Sequence, residues 1–407
     1  MPELNVRRNT FLLASTLAIN SCLFQLAAAV NSLTFVLITG ITGLLGLGPA
    51  IFLASSGLAA LPAGRAMDRY GRRPVIVAGF VIAAAGCSLI ALATRTGSTP
   101  QLIVGMCMTG AAGGVALLIR TAAGDMYPPE RRARGIAYVL FGSVFGAILG
   151  PAVFSPLFAG KHLEAHALTL PWLAAGGLAL VAAAVAMLVR PDPKQIAESL
   201  GTAAEAEEPA APLSEILRRP GVVPALLAAL ASFSVMVSVM NLTGYVVVEH
   251  HHHTQQDVFP IIGAHVLGMY ALVLVLGPLI DRIGRGTALW SGLTLMAVSC
   301  IGITWFESVV GSAVLLFGLG LGWSLSFVAA TAQLADRAAP AERGKLLGFS
   351  DQISALAGAA LALLGGYALD SLGVAALAIG ATVLVLLPLL RLLRRDDAVG
   401  TIAPRRT

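Results

Sequence analysis

The chain has 407 residues, of which 57% are hydrophobic and only 12% are charged, and its mean hydropathy is +0.85. Soluble globular proteins carry about 25% charged residues, so this composition excludes a soluble domain of that length. The sequence therefore predicts a protein that crosses a lipid bilayer several times. The net charge of +5 is also compatible with nucleic-acid binding, and the placement of the charges decides between the two.

Apolar segments of about twenty residues, the length that spans a bilayer as a helix, recur between charged connectors. We therefore predict an all-α membrane protein with twelve transmembrane helices. The segments lie at roughly residues 10–36, 44–64, 74–94, 101–123, 135–159, 169–189, 222–248, 257–280, 287–306, 309–331, 346–369 and 373–393.

Lys and Arg residues concentrate in alternate connectors. With a cytoplasmic N-terminus, 23 of the 26 fall on the cytoplasmic side, Arg95 and Lys161 fall outside, and Arg120 lies within a span. This asymmetry follows the positive-inside rule, so it predicts a multi-pass protein of the cytoplasmic (inner) membrane with both termini cytoplasmic. It also accounts for the net charge, and no nucleic-acid partner is expected. The first apolar run has no small-residue cleavage site and is expected to remain as a span.

The connector between the second and third segments carries a charged pattern, G-x-x-x-D-R-x-G-R. Its fixed positions are Gly64, Asp68, Arg69, Gly71 and Arg72. The same pattern recurs 213 residues later, with fixed positions that include Gly277, Asp281, Gly284 and Arg285.

A second element of the repeat follows the fourth and tenth segments, where Asp125 recurs as Asp336 at an offset of 211. The chain is therefore predicted to consist of two six-helix halves, residues 1–190 and 222–407, joined by a cytoplasmic linker at 191–221. Parallel repeats of this kind are typical of transporters with a substrate site between the halves.

These two loops resemble the signature of the Major Facilitator Superfamily, and the resemblance covers nearly the whole chain. It implies a transporter that works by alternating access, and not an enzyme. It also implies a conformational latch in which Arg72 pairs with Asp125 and, more weakly, Arg285 pairs with Asp336. Buried or interfacial charges must pair, and such a pair can hold one conformation of a rocking protein. The remaining latch residues are Gly64, Asp68, Arg69, Gly71 and Asp281.

The fifth segment contains Gly146-x-x-x-Gly150-Pro151, which resembles part of the superfamily's antiporter signature but lacks the Gly-Gly pair that should close it. Small residues spaced by four also let helices approach closely in any membrane protein. The pattern is therefore compatible with close packing and with an exporting antiporter.

All four cysteines, Cys22, Cys87, Cys107 and Cys300, lie in apolar segments, and none forms a C-x-x-C motif. No disulfide framework is expected, and a buried Cys ordinarily behaves as a small hydrophobe. Cys107 stands between Met106 and Met108, so these three are candidates for a soft-ligand pathway.

The seventh and eighth segments each carry a pair of soft metal-ligand side chains spaced by four, which puts both members on one helix face. The pairs are Met236 with Met240, and His265 with Met269. In an antiparallel hairpin, Met240 is expected to face His265 at one depth and Met236 to face Met269 at a deeper one. Thioether and imidazole ligands without a carboxylate favour Cu(I) over Mg, Ca or Mn. The alternative interpretation is that the methionines fill an apolar core and that the histidine hydrogen-bonds to a neighbouring helix.

The connector of this hairpin includes the run His250, His251, His252 and His253. A run of imidazoles can capture transition metals and so raise their concentration above the Met and His pairs. A solvated polar turn is the alternative interpretation of the same four residues.

The two pairs on these two helices resemble the signature of CcoA-like copper importers, a bacterial branch of the superfamily. That resemblance implies copper import for assembly of cbb-type cytochrome oxidases, with a cytoplasmic copper chaperone as a candidate partner. Copper would be the substrate, and no permanently bound cofactor is expected. Two alternatives stay open: a proton-coupled antiporter that exports small organic compounds, favoured by Arg120 and Asp351, and uptake of a flavin-like vitamin.

Overall fold

The structure is a computed structural model that describes residues 2–44, 46–127, 132–158, 164–199, 211–338 and 340–393. Within these ranges the regular elements are helices and none is a strand, so the predicted all-α fold is confirmed.

Six helices form the N-terminal half, and the fourth is interrupted at Leu118. They are α1 (Pro2–Thr39), α2 (Leu47–Tyr70), α3 (Arg72–Thr96), α4 (Thr99–Leu117 and Ile119–Asp125), α5 (Arg132–Phe158) and α6 (Thr169–Met187).

Six more helices form the C-terminal half, and the eighth is interrupted after Tyr270. They are α7 (Val222–Tyr245, extended by the π-helical turn Val246–His250), α8 (Gln255–Tyr270 and Val273–Ile283), α9 (Arg285–Gly302), α10 (Val309–Asp336), α11 (Pro340–Leu372) and α12 (Val374–Leu393).

These twelve helices match the twelve apolar segments in order. Within the described residues, ten are long and apolar enough to cross a membrane, and α9 and the apolar part of α12, Val374–Pro388, are shorter or less apolar than that. The largest difference from the predicted bounds is at α1, which begins at Pro2 instead of near residue 10. Helical hydrogen bonding continues through the polar start of α1, because a helix need not end where the bilayer does.

The glycine that ends the repeated charged loop has the same backbone conformation in both halves. Gly71 has φ of +97° and Gly284 has φ of +86°, a region that residues with a Cβ rarely adopt. Each glycine separates two helices that turn back on each other, which explains its place in both copies of the pattern.

The two halves meet most closely at the end of the bundle that carries His250–His253, which we call the turn end. There Gly46, the residue before α2, packs on the Ala362 carbonyl of α11, and Gly244 of α7 packs on the Ala29 carbonyl of α1. Gly263 of α8 lies against α5, where an added Cβ would come within 2.9 Å of the Ala147 oxygen. The turn end is therefore closed. The opposite end, with the two charged loops, is the loop end.

The predicted linker is described at its two sides only, and residues 200–210 lie outside the described ranges. Its first side contains a short helix at Pro193–Ser199, and its second side contains another at Leu213–Ile216.

Candidate transport site and its ion pairs

The four predicted metal ligands are enclosed in the protein. The exposed fractions are 2% for Met236, 0% for Met240, 0% for His265 and 5% for Met269. All four side chains are therefore buried inside the bundle. Burial alone does not identify a functional face of α7, because every residue from 234 to 244 of that helix is buried.

His265 is held by α10. Its Nδ1 atom lies 2.8 Å from the Leu316 carbonyl oxygen, and Gly320 lets the two helices approach so closely that its backbone packs on the His265 carbonyl. A carbonyl only accepts hydrogen bonds, so Nδ1 carries the proton and Nε2 carries a lone pair. Nε2 is buried and has no hydrogen-bond partner in the described part of the chain. A metal-binding histidine commonly has its second nitrogen oriented by a carbonyl in this way, and so does a histidine that only joins two helices.

The methionines occupy two hydrophobic clusters that adjoin each other. Met236 and Met269 belong to one, and Met240 belongs to the other. Phe24 and Tyr270 pack against both clusters, so the two clusters meet at these two side chains. Met236 and Met269 thus belong to the same large cluster, and the two-depth arrangement of the four side chains stays a prediction. We call Met236, Met240, His265 and Met269 the soft-ligand centre.

The candidate pathway residues on α4 diverge. The Met106 side chain points toward α2, where its Cε atom would lie 3.3 Å from a Cβ added to Gly48. Met108 faces α3, where its Cβ would lie 2.9 Å from a Cβ added to Gly86. Cys107 is half-buried between them. The structure does not bring these three side chains to one point, and their role in a pathway stays a prediction.

The histidine run forms a tight turn at the turn end. His250 packs edge-on against Tyr245 at 5.9 Å between ring centroids, and the rings of His251 and His253 lie 6.5 Å apart. His252 has φ of +57°. Burial lowers the pKa of His251 from its usual 6.5, so its imidazole stays neutral at mildly acidic pH.

The turn is also attached to the neighbouring hairpin, since His253 Nε2 lies 2.7 Å from the Glu307 carbonyl oxygen. Among the described residues, no three His, Cys, Asp or Glu side chains are grouped so that they could hold a metal ion. Capture of metal by this run, which stays a prediction, would therefore require its side chains to rearrange.

The two latch pairs differ in the distance between the charged atoms and in the exposure of their side chains. Arg72 Nε lies 2.8 Å from Asp125 Oδ2, and these side chains are 14% and 21% exposed. Arg285 Nε lies 3.5 Å from Asp336 Oδ2, and these are 33% and 58% exposed. The N-terminal pair is thus the shorter and the more buried.

The other latch residues contribute in different ways. Arg69 stacks over the Tyr70 ring at 5.2 Å and is exposed, and its role in the latch stays a prediction. Among the described residues, no atom lies within 4 Å of a Cβ added to Gly64. The side chains of Asp68 and Asp281 lie outside the part that the structure describes.

The antiporter-like pattern on α5 accommodates α1. Gln25 Nε2 donates a 2.6 Å hydrogen bond to the Gly146 carbonyl, and a Cβ on Gly150 would overlap the same amide. The spacing of these glycines is thus explained by helix packing, with Pro151 in contact with Gly263 of α8.

A second group of side chains includes Arg120 and Asp351, which the sequence singles out but does not predict to be in contact. Arg120 of α4 forms an ion pair with Asp351 of α11, which joins the two halves, and each side chain is about one-third exposed. Arg120 also lies within electrostatic range of the Tyr270 hydroxyl. The signal for this pair was present in the sequence, because an isolated charge in an apolar segment is a functional candidate by default.

Three aromatic rings form a connected group that begins at Tyr270. The Trp323 ring stacks on Phe327 at 5.1 Å and meets Tyr270 edge-on at 6.1 Å. Trp323 Nε1 is buried and has no hydrogen-bond partner among the described atoms. We call Tyr270, Trp323, Phe327, Arg120 and Asp351 the aromatic centre. The interruptions of α4 and α8 lie beside it, and interrupted helices often line the substrate sites of transporters.

Comparison with known sequences identifies relatives over most of the chain. The Major Facilitator Superfamily profile matches residues 13–362 and 249–406. The uncharacterized MFS-type transporter YdeG of Bacillus subtilis is 32% identical over 331 residues, which is 79% of this chain and 76% of the relative. The riboflavin transporter RfnT of Brucella anthropi is 30% identical over 356 residues, which is 85% of each chain.

Solved structures share the fold. The partially occluded, inward-open xylose transporter XylE of Escherichia coli superposes with a TM-score of 0.71 at 14% identity, covering 97% of this chain and 100% of that one. The human organic anion transporter MFSD10 superposes with a TM-score of 0.65 at 19% identity, covering 95% and 99%. At these identities the likeness establishes the fold and no more.

Proposed function

The chain belongs to the Major Facilitator Superfamily, whose members are membrane transporters and not enzymes, and from that premise we propose that it imports copper. The proposal places it in the cytoplasmic membrane, with both termini and the linker on the cytoplasmic side, as the distribution of Lys and Arg favours. The observation that carries it is the buried, unpartnered Nε2 of His265.

An unpartnered nitrogen in an apolar interior is costly unless a ligand occupies it. Leaving such a group unsatisfied costs about 1–3 kcal/mol. His265 Nε2 cannot donate, because the proton is on Nδ1 facing Leu316, so its natural partner is a cation or a hydrogen-bond donor. Thioether sulfur, the other ligand type of the proposed set, supplies no donor. A metal ion would therefore satisfy this nitrogen.

The chemistry of the four ligands selects the metal. Thioether sulfur and neutral imidazole are soft or borderline ligands, and the soft-ligand centre contains no carboxylate. Hard cations such as Mg²⁺ and Ca²⁺ prefer oxygen ligands and retain water, which this enclosed site does not admit. Cu(I) tolerates a desolvated site of this kind, so it is the substrate that the ligand set fits.

The order of the ligands along α7 and α8 gives a direction of passage. Copper would meet the His250–His253 turn first, then Met240 and His265, and then Met236 and Met269 toward the loop end. Because the turn end is closed here, the halves must rock to admit the ion. Release on the loop-end side would supply a cytoplasmic copper chaperone and assembly of cbb-type oxidases.

Copper accumulation tests this proposal. Cells that lack their own copper importers would express the wild-type protein, Met236→Leu/His265→Ala, or Met126→Leu as a matched control. Met126 is equally buried, but in the core of the N-terminal half. We expect the double variant to accumulate copper at the background level and the control to match wild type. Equal accumulation by the double variant and wild type would refute copper import.

A planar aromatic solute is the second candidate, and the aromatic centre favours it. The stacked rings of Trp323 and Phe327, the unpartnered indole N–H and the Arg120–Asp351 ion pair offer stacking, a donor and charges. The riboflavin transporter is a relative over 85% of the chain, which supports a flavin-like vitamin. Export of organic compounds by a proton-coupled antiporter would use the same centre.

Riboflavin uptake by the same cells separates this candidate from copper import. If an aromatic solute is carried, Trp323→Phe should slow uptake by about tenfold, because it removes the indole donor, while Met236→Leu should not change it. No riboflavin uptake by wild type would remove the vitamin candidate.

A further inference from the structure

The start of α3 is capped by a residue that is 120 positions away in the sequence. Asp192 Oδ1 accepts hydrogen bonds from the backbone N–H of Arg72 at 3.0 Å and of Lys194 at 2.9 Å, and Asp192 Oδ2 accepts one from Arg73 at 2.9 Å. The residue before α3 is Gly71, which has no side chain and so cannot supply the cap itself. A carboxylate at the N-terminus of a helix satisfies free N–H groups and interacts favourably with the helix dipole.

We infer that Asp192 is a positioning residue that fixes the first turn of α3 and thereby sets Arg72 against Asp125. Two of the three N–H groups that Asp192 binds, those of Arg72 and Arg73, belong to this first turn. Arg72 is thus held by its backbone at Asp192 and by its Nε atom at Asp125, 2.8 Å away. The inference rests on these contacts and not on the identity of the substrate.

Asp192 is itself held in place by α1 and by its own helix. Asn9 donates to the Pro191 carbonyl at 2.9 Å and accepts from the Arg190 N–H at 3.2 Å. Gln195 Oε1 accepts from the Asp192 N–H at 3.2 Å. The first residues of the linker are therefore part of the loop end of the N-terminal half, and Asp192 connects them to the latch.

Gly71 is required for this contact. A Cβ added at Gly71 would lie 2.9 Å from an Asp192 carboxylate oxygen, so the missing side chain makes room for the cap. The equivalent Gly284 has no atom within 4 Å of an added Cβ in the described structure. The repeat thus reproduces the glycine, while the cap is found in the N-terminal half.

Hydrogen exchange tests the cap directly. In purified, full-length Asp192→Asn, the side-chain NH₂ replaces one acceptor oxygen, so we expect the Arg72 and Arg73 amides to exchange about fivefold faster, the size of a lost cap. Glu215→Gln, on the exposed second side of the linker, removes the same charge and should leave both rates unchanged. Unchanged rates in Asp192→Asn would overturn the inference.

A double-mutant cycle tests whether the cap acts through Arg72. The melting temperatures of Asp192→Asn, Asp125→Asn and the double variant are compared with wild type, and we expect the double variant to lose less than the sum of the two single losses. Additive losses would overturn the positioning role. If Asp192→Asn does not fold, Asp125→Asn decides alone: because the coupling is reciprocal, it should speed exchange at Arg72 and Arg73, and unchanged exchange there would overturn the positioning role.

Discussion

The soft-ligand centre and the aromatic centre are neighbours in the same bundle, yet they provide opposite environments. The soft-ligand centre is enclosed, uncharged and built from sulfur and imidazole, with exposed fractions of at most 5%. The aromatic centre contains a cation and a carboxylate that are each about one-third exposed. The first suits a single desolvated soft ion, and the second suits a hydrated or aromatic solute. Tyr270 contacts both, because it packs against the two hydrophobic clusters and against Trp323.

This contrast suggests that binding of the transported ion and contact between the two halves use different residues. A buried site without charges can discriminate between ions by ligand softness, but it offers no group that joins the two halves. The Arg120–Asp351 pair does join them, since α4 and α11 belong to different halves. If the protein carries copper, we therefore expect the soft-ligand centre to select the ion and the Arg120–Asp351 pair to control the rocking motion.

The largest effect is expected from His265→Ala. It removes the only nitrogen ligand of the soft-ligand centre, so copper uptake should fall to the background of cells without the protein. Uptake of radioactive copper by whole cells measures this, with the amount of membrane protein measured alongside. If this variant took up copper at the wild-type rate, the soft-ligand centre would not be the copper site.

Neutralising one member of the ion pair should have the next largest effect. Arg120→Gln or Asp351→Asn leaves the other charge without its partner, so we expect slower transport and a loss of about 1 kcal/mol in the free energy of unfolding, limited by the partial exposure. The double variant carries no charge there and should recover part of the stability. Thermal unfolding in detergent measures this. A double variant less stable than both single ones would contradict the assignment.

Conservative changes of the methionines should separate function from stability. Met236→Leu and Met269→Leu keep the side-chain volume, so each should change the free energy of unfolding by less than about 1.5 kcal/mol. Copper uptake should nevertheless fall several-fold, because a ligand sulfur is lost. A drop in uptake that is matched by a drop in folded protein would mean that these methionines only fill the core.

The smallest effect is expected at the turn end. Replacing His250–His253 by Ser should reduce uptake when copper is scarce and leave it unchanged when copper is abundant, since a capture site raises local concentration only. The effect should depend on pH. The lowered pKa of His251 means that its neutral, metal-binding form persists as pH falls below 6.5 and is lost only below the shifted pKa. An equal effect at all copper concentrations would contradict a capture role.

The fold was accessible from the sequence because its causes are local. Apolar segments of spanning length, Lys and Arg in alternate connectors, and the repeated charged loop predict the helices and the two halves without tertiary information. The pairing of Arg72 with Asp125 is implied by the resemblance of the charged loop to the superfamily signature, and the two side chains lie 2.8 Å apart in the structure.

The features that sequence reasoning missed depend on contacts between distant positions. Leu316 lies 51 residues from His265, and its contribution is a backbone carbonyl that any residue would offer. Asp351 is 231 residues from Arg120, and the cap from Asp192 to α3 spans 120. Periodicity reports which face of a helix is buried, but not which atom of another helix it meets.

The most direct test of copper import is transport by the purified protein. Vesicles that contain a Cu(I)-binding dye would be reconstituted with wild type, Met236→Leu/His265→Ala or Met126→Leu, and supplied with Cu(I) outside. The account predicts a dye signal that rises with wild type and with Met126→Leu, and a signal from the double variant equal to that of protein-free vesicles. Equal filling rates for wild type and the double variant, or no filling by wild type, would contradict it.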